Sequence, residues 1–298
     1  MTWANFLQLL VSGLAMGAIY TLTAKGLFIA HLATNRLNFS QGDFLMIGAL
    51  LTLALRSAGL PLVIVIPALL VLFALGGWAL ERGFIRPLDR LGFRGGGEYS
   101  WILTTAGAGL MVQNAAELAW GKSAQYSPPL FSKTNDPVRF LGVGVYPEQL
   151  AVIAVAFVVV CAFYWFLFRT HAGKSIYAVA FNPESALLLG IDVRRMVILV
   201  FALASMLAGM SGVLAGPIVS VYPQMGLVFT VKGLAVAAVG GFTNPVAILI
   251  GGILFGLTES FSNYWTSEFG DLLPLLFVLA LLIVRPSGIA SARKSTAR

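Results

Sequence analysis

The sequence predicts an all-α protein that crosses a membrane many times, and three observations carry the prediction. Of 298 residues, 58% are hydrophobic and 10% charged, against about 25% charged in soluble domains. The apolar residues fall into runs of helix length, at about 5–30, 44–56, 61–80, 101–120, 149–168, 196–215, 244–258 and 272–284. The basic residues gather at the ends of those runs, the positive-inside pattern of membrane chains. With a mean hydropathy of +0.89, most of the surface has no need of water. A net charge of +7 would suggest nucleic acid in a soluble chain. Here the span-end placement accounts for it, so the bilayer is the expected surroundings and nucleic acid is not a partner.

The eight runs are read as eight transmembrane helices, eight to ten when broken or re-entrant pieces are counted, forming one transmembrane domain over 1–298. The first run has no basic segment ahead of it and is too long for a signal-peptide core, so it is read as a span. Gly13 and Gly17 share one face of it and predict a close helix contact. Lys25 continues the stripe of Gly13, Gly17 and Thr21 at four-residue spacing. Two readings stand open for it: an ammonium facing the translocation path, or a lysine snorkelling to the head groups. Asn38, Phe39, Ser40, Gln41 and Gly42 place hydrogen-bonding groups beside a glycine between two apolar runs. Irregular backbone at membrane depth is tolerated only where protein or a watery cavity covers it, which predicts a path-facing segment; a cytoplasmic turn is the alternative.

Charge orients the rest. Arg82, Arg86, Arg90 and Arg94 mark one cytoplasmic loop; Arg169, Lys174, Arg194 and Arg195 a second; Arg285, Arg293, Lys294 and Arg298 a cytoplasmic C-terminus. The loop from Gly121 to Glu148, with Lys122, Lys133 and Arg139 against Asp136 and Glu148, reads as external. Inside the polar island 169–195, Asn182, Pro183, Glu184, Ser185, Ala186, Leu189 and Gly190 predict a short, capped helix. Asn182 can accept from free N–H groups, Pro183 suits the first helical position, Glu184 complements the dipole and Gly190 can take the left-handed stop. Two turns cannot cross a bilayer, so this helix lies outside it, as a docking element for a cytoplasmic partner or as a surface connector.

A further short apolar run, Leu234 to Val239, is bounded by Lys232 and by Gly240-Gly241. After the island, three full runs would leave the tail on the wrong side, so the stretch around 228–241 is expected to cross as well, broken at that glycine pair. Gly212 with Gly216, and Gly252 with Gly256, predict further helix contacts. The octets SGLAMGAI at 12–19 and SGVLAGPI at 211–218 point to a two-fold internal repeat.

Catalytic chemistry has no foothold. Gly173-Lys174-Ser175 lacks the upstream glycine and strand of a phosphate loop. His31 and His171 are isolated, and Cys161 is the only cysteine, so neither a metal site nor a cofactor is expected. Lys25, Asp43, Glu117, Lys232 and Glu259 lie within or near spans, each close enough to an end for snorkelling to explain it.

Taken in order, Tyr20-Thr-Leu-Thr-Ala24 with Gly26, Asn38 to Gly42, Arg86-Pro87, Gln113-Asn114, Gly173 to Asp192, Lys232 to Gly241, Gly251 to Gly256 and Arg285-Pro286-Ser287-Gly288-Ile289 resemble one family. It is the permease subunits of the ATP-binding-cassette (ABC) importers for branched-chain amino acids, the smaller of the two usual permeases. The resemblance implies a transporter subunit and not an enzyme, in a bacterial-type inner membrane. It implies a second permease, most simply as a heterodimer, two cytoplasmic ATPase subunits that dock on the island's coupling helix, and a periplasmic or extracellular solute-binding protein. The solute would be a branched-chain or other amino acid, the alternatives being urea, amides or aromatic carboxylates on the same machinery, or a stand-alone carrier or channel. Where the family usually has Asn-Phe-Ala-His-Gly, this chain has Asn38-Phe39-Ser40-Gln41-Gly42.

Overall fold

The computed structural model describes residues 2–87, 100–132, 138–140, 143–242, 244–266, 270–285 and 288–289. Arg90, Arg94, Lys133, Asp136, Pro286, Ser287, Arg293, Lys294 and Arg298 lie outside them. Helix α1 spans Trp3–Thr34, α2 Gln41–Ser57, α3 Leu62–Leu80 with a π-helical turn Glu81–Ile85, and α4 Ser100–Trp120. A small antiparallel hairpin, β1 Val138–Phe140 and β2 Val143–Val145, precedes α5 at Pro147–Arg169. The island forms α6 His171–Phe181 and α7 Pro183–Leu188; α8 Val193–Ala215, α9 Met225–Val239, α10 Pro245–Trp265 and α11 Leu272–Val284 complete the chain.

Among the described residues, five helices are long and apolar enough to cross a bilayer unaided: α1, α3 with its π turn, α5, α8 and α10. The 15-residue α9 and 13-residue α11 are apolar but short, about 22 and 20 Å at 1.5 Å per residue. They are completed by neighbours, as the bilayer requires of short segments. With α2 and α4, nine helices make the bundle among the described residues.

Two helices form its centre. α1 and α8 run antiparallel, joined by a hydrogen bond between the Thr23 and Ser211 hydroxyls at 2.9 Å. Their partners are exchanged between the halves. α1 packs antiparallel to α10, with Gly13 against Gly256 and Leu257 and Gly17 against Gly252, and lies alongside α9. Reciprocally, α8 packs antiparallel to α3, where Gly77 meets the Phe201 carbonyl and Gly209 the Phe73 ring, and lies alongside α2. Each half thus inserts its first helix between the second and third of the other, in the inverted sense. Gly212 touches the Leu45 carbonyl of α2, but Gly216, grouped with it by spacing, is the C-cap of α8 and makes only ordinary contact with Ser127 at 3.7 Å. The four-residue period holds, but the helix has ended before its second member.

The ends of the bundle are distinct. Gln125 and Val221 exchange two backbone hydrogen bonds of 2.8 Å, tying the segment after α4 to the segment after α8. Since α8 runs from the island to that bridge, α6 and α7 lie at the opposite end. Four helices separate the island from residue 285, and the Ile289 N–H donates to the Val239 carbonyl at 2.9 Å, which returns the chain to the island's end.

Three expected boundaries move. α9 begins at Met225, not Leu234; α10 continues past Glu259 to Trp265; α2 begins at Gln41. Each extension contains a polar or ionisable residue that the bundle satisfies internally. The Gly240-Gly241 pair does not break a span: Gly241, at φ +68°, and Phe242, at +52°, form the turn that ends α9. The irregular segments inside the bundle are 35–40 and 216–224 instead.

At Gly17 an added Cβ would lie 2.7 Å from the Gly252 carbonyl oxygen and 2.9 Å from Ile253 Cα. Gly17→Val should therefore cost about 1–3 kcal/mol by overpacking, read as a lower melting temperature of the purified protein in detergent. Gly107→Ala, where a Cβ meets nothing within 4 Å, should leave it unchanged or raised.

Candidate functional site

The most constrained point in the molecule is where α2 and α9 begin. Both start inside the bundle, where their first N–H groups cannot reach water. The Gly42 N–H of α2 donates to Thr230 Oγ1 of α9 at 2.9 Å, and that hydroxyl donates to the Gly226 carbonyl at 2.9 Å. Gly42 faces the Gly226 carbonyl so closely that neither position has room for a side chain. The two positive helix ends therefore meet. Asp43, in the first turn of α2 and 4% exposed, is the negative charge placed between them.

The turn that delivers α2 to this point is saturated with hydrogen bonds. Asn38 Oδ1 accepts from the Ser40 N–H at 3.1 Å and hydroxyl at 2.7 Å, and its amide donates to Gln41 Oε1 at 3.3 Å. The Gln41 amide passes across Gly26, where a Cβ would strike it, and donates to the Ala204 carbonyl of α8 at 2.8 Å. The Phe39 N–H donates to Thr105 Oγ1 of α4 at 3.3 Å. Asn38, Ser40 and Gln41 are buried. The segment lies within the bundle, covered by protein, so the alternative of a cytoplasmic surface turn does not describe it.

Helix α4 seals this centre with a polar stripe that the sequence reading did not single out. Thr105, Gly109, Gln113 and Glu117 recur every four residues. Thr105 meets Phe39, Gly109 lies over Ser40 and Asp43, and Gln113 Nε2 donates to Asp43 Oδ1 at 2.7 Å. Glu117 accepts from the Gln224 amide just before α9 and pairs with Lys122 at 3.5 Å. The four-residue recurrence of polar and small residues is the signal that would have revealed it.

Lys25 is 1% exposed and follows neither expectation. Its ammonium donates to the Pro245 carbonyl in the first turn of α10 at 2.7 Å and lies 5.8 Å from the Phe163 ring of α5. It neither snorkels nor faces an open path in this chain, because α10 starts directly beside α1 and offers it a carbonyl. Lys232 likewise does not snorkel. It pairs with Glu259 at 2.7 Å and Asp271 at 2.8 Å, and donates to the Tyr20 hydroxyl at 3.3 Å. α1, α9, α10 and α11 are thereby joined through one cation. Opposite charges in separate runs were visible in the sequence; that they meet was not.

The island forms a rigid projection. Asn182 Oδ1 accepts from the Ser185 N–H at 3.0 Å, and Pro183 opens α7. Gly190, at φ +78°, ends it in a Schellman pattern: Gly190 N–H to Leu187 carbonyl and Ile191 N–H to Ala186 carbonyl, each 3.0 Å. Ala186 alone is buried; Glu184, Ser185 and Leu189 face outward. Phe181, at 94% exposure, and Leu188, at 89%, with Leu187 beside it, give this helix an apolar outer face that the capping pattern had not included. Partial burial, beside the ring of Phe168, raises the Tyr177 phenol above its ordinary range. Gly173 packs on the Leu167 carbonyl at the α5–α6 corner, inside a helix and not in a phosphate loop. At the opposite end, Glu148 gathers the N–H groups of Leu130, Phe131 and Ser132 at 2.8–3.3 Å, holding that segment against the start of α5. Among the described residues no three His, Cys, Asp or Glu side chains gather as metal ligands.

Comparison with known proteins matches residues 9–284 to the family described as branched-chain amino acid transport system, permease component. The chain is 27% identical to the high-affinity branched-chain amino acid transport system permease protein BraD of Pseudomonas aeruginosa, covering 96% of this chain and 95% of that one. It is 26% identical to the permease protein LivH of Escherichia coli, covering 95% of each. The probable branched-chain amino acid transport permease protein LivH of Methanocaldococcus jannaschii is 25% identical, over 91% of this chain and 88% of that one.

Lys232 and Glu259 are each 6% exposed, so removing Lys232 leaves Glu259 buried without its counter-charge. Lys232→Met should cost about 3–5 kcal/mol, measured as lost thermal stability in detergent. Adding Glu259→Gln should recover part of the loss, the non-additivity expected of a contacting pair. Additive effects would show that the pair does not hold these helices.

Proposed function

This chain belongs to the branched-chain amino acid transport system permease family, and from that premise we propose that with a second permease it encloses the translocation path of an ATP-driven importer for branched-chain or related amino acids. As a permease it is a transporter subunit, embedded as a multi-pass membrane protein. Hydrolysis of ATP belongs to separate cytoplasmic subunits, and the island is where one of them docks.

The observation that carries the reading is α7. A six-residue helix with a side-chain cap at one end and a Schellman stop at the other is held in one orientation. Its outer face shows Leu187, Leu188 and Leu189 to the surroundings, with Phe181 just ahead of it. Water-facing leucines on a fixed helix are costly unless a partner covers them. Arg194 and Arg195 beside them support a cytoplasmic position for the helix, where an ATPase groove would receive it. α7 joins α8 through Asp192, whose Oδ1 accepts from the Arg195 N–H at 3.1 Å. Because α8 is the central helix contacting α1, α2 and α3, a push on α7 is delivered to the middle of the bundle. With α7 in the cytoplasm, the C-terminus would be cytoplasmic as well and the bridged segments at Gln125 and Val221 would lie outside, where a solute-binding protein would approach.

Within the path assignment, Ser40 reaches a cleft between helices, whereas Asn38, Gln41 and Gly42 build the wall behind it. Lys25 acts as a tie between α1 and α10.

Leu188→Asp changes a side chain that supports nothing inside the fold. Solute-stimulated ATP hydrolysis and uptake by the assembled importer should both fall about tenfold or more, the loss of a buried apolar anchor at an interface, while the permease keeps its melting temperature. Unchanged uptake would place the ATPase seat elsewhere.

A further inference from the structure

Between α2, α3 and α4 lies a cleft of about 610 Å³, within the usual size range of small-molecule sites. Its walls are apolar, with Phe44, Ile47, Leu72, Phe73 and Met111 among the larger side chains. Its lining holds two polar residues, Ser40 and Asp43. Both belong to the start of α2, and both are more than nine-tenths buried.

Asp43 is incompletely matched. Oδ1 accepts from Gln113 at 2.7 Å; Oδ2 has no hydrogen-bond donor, and no cationic side chain pairs with it, among the described residues. The N-termini of α2 and α9 favour a negative charge there without cancelling it. A carboxylate surrounded by hydrocarbon is costly until a cation with hydrogen-bond donors completes it. The two buried lysines have their partners: Lys232 has two carboxylates and Lys25 a carbonyl. Asp43, by contrast, lines a cavity with no cationic side chain against it among the described residues.

A molecule that fits carries an ammonium next to an aliphatic body. The ammonium would meet Asp43 Oδ2, and the Ser40 hydroxyl, which already donates to Asn38, keeps lone pairs free to accept a second N–H. The aliphatic part would lie on Phe44, Ile47 and Phe73. We propose that this cleft is a solute subsite for the ammonium and side chain of an aliphatic amino acid, with Asp43 as its specificity-determining residue. The proposal rests on the importer reading and sharpens it. Asp43 selects amino acids over urea, which has no charge, and over the corresponding carboxylic acids, which it repels.

The test uses the complete importer in detergent and in proteoliposomes, with Cys161→Ser and Ala115→Cys placing one thiol in the cleft wall. Leucine and 3-methylbutylamine should slow maleimide labelling, and 4-methylpentanoate, which has the same chain without the ammonium, should not. Asp43→Asn should abolish the protection and lower leucine uptake about tenfold or more, the loss of a charge-assisted hydrogen bond, while Asp43→Glu should retain part of both. Equal protection by all three compounds, protection by none, or protection that persists in Asp43→Asn would overturn the subsite. If Asp43→Asn does not assemble, the three-compound comparison on the parent complex decides alone. Amine protection in an importer that takes up no amino acid would sink the functional reading and leave the subsite standing; amino-acid uptake unaltered by Asp43→Asn would do the reverse.

Discussion

The constraint on which this architecture depends is that no backbone N–H inside a bilayer can be left to water. Two helices, α2 and α9, begin in the interior, and each exposes a first turn of unpaired donors. The fold answers by bringing the two starts together: Thr230 caps α2 from α9, and Gly42 and Gly226 remove the side chains that would keep the backbones apart. From that meeting the rest follows. The turn at 35–40 must carry the chain from the end of α1 back into the bundle, and Asn38 and Gln41 bind it there through amides that reach α2 and α8. A negative charge is then tolerable at the junction, and Asp43 occupies that place.

The same logic governs the other buried charges. Lys25, Lys232 and Glu259 lie in helices that would be costly to insert singly. Each is satisfied by an element distant in sequence: Lys25 by the start of α10, Lys232 by α10 and the start of α11. The Lys25 contact and the Lys232–Tyr20 hydrogen bond tie α1 to helices of the other half, and the Lys232 ion pairs tie α9, α10 and α11 together, so the charges serve as cross-ties in a medium that offers little hydrophobic drive for helix association. The small-residue contact of α1 with α10 adds close packing to the same seam.

On the proposed reading, function is divided along the bundle axis. At one end α7 holds a fixed apolar face outward, and at the other Glu148 and the Gln125–Val221 bridge hold two connecting segments in place. Between them α8 touches the α2 start through Gln41 and α1 through Ser211. On that reading a displacement of α7 would be passed by α8 to the junction where Asp43 and Ser40 line the cleft. α4, attached there by its polar stripe, closes the other side of that junction.

By itself the sequence determined the membrane class, the apolar runs that become α1, α3, α5, α8 and α10, and the capped island helix with Asn182 at its start and Gly190 at its stop. These are local properties: hydrophobicity over about 20 residues decides insertion, and caps act within one turn. It misplaced the start of α9 and the end of α10, because Lys232 and Glu259 look like span boundaries until their partnership is known. It left Lys25 between path and head groups, because the carbonyl that holds it lies 220 residues away. Only the tertiary structure decided that α2 and α9 begin face to face, that Gly216 is a cap where Gly212 is a contact, and that Asp43 lines a cleft. Each of those outcomes depends on which helix ends meet, and that is set by the inverted exchange of partners between the two halves, which no local pattern in the chain encodes.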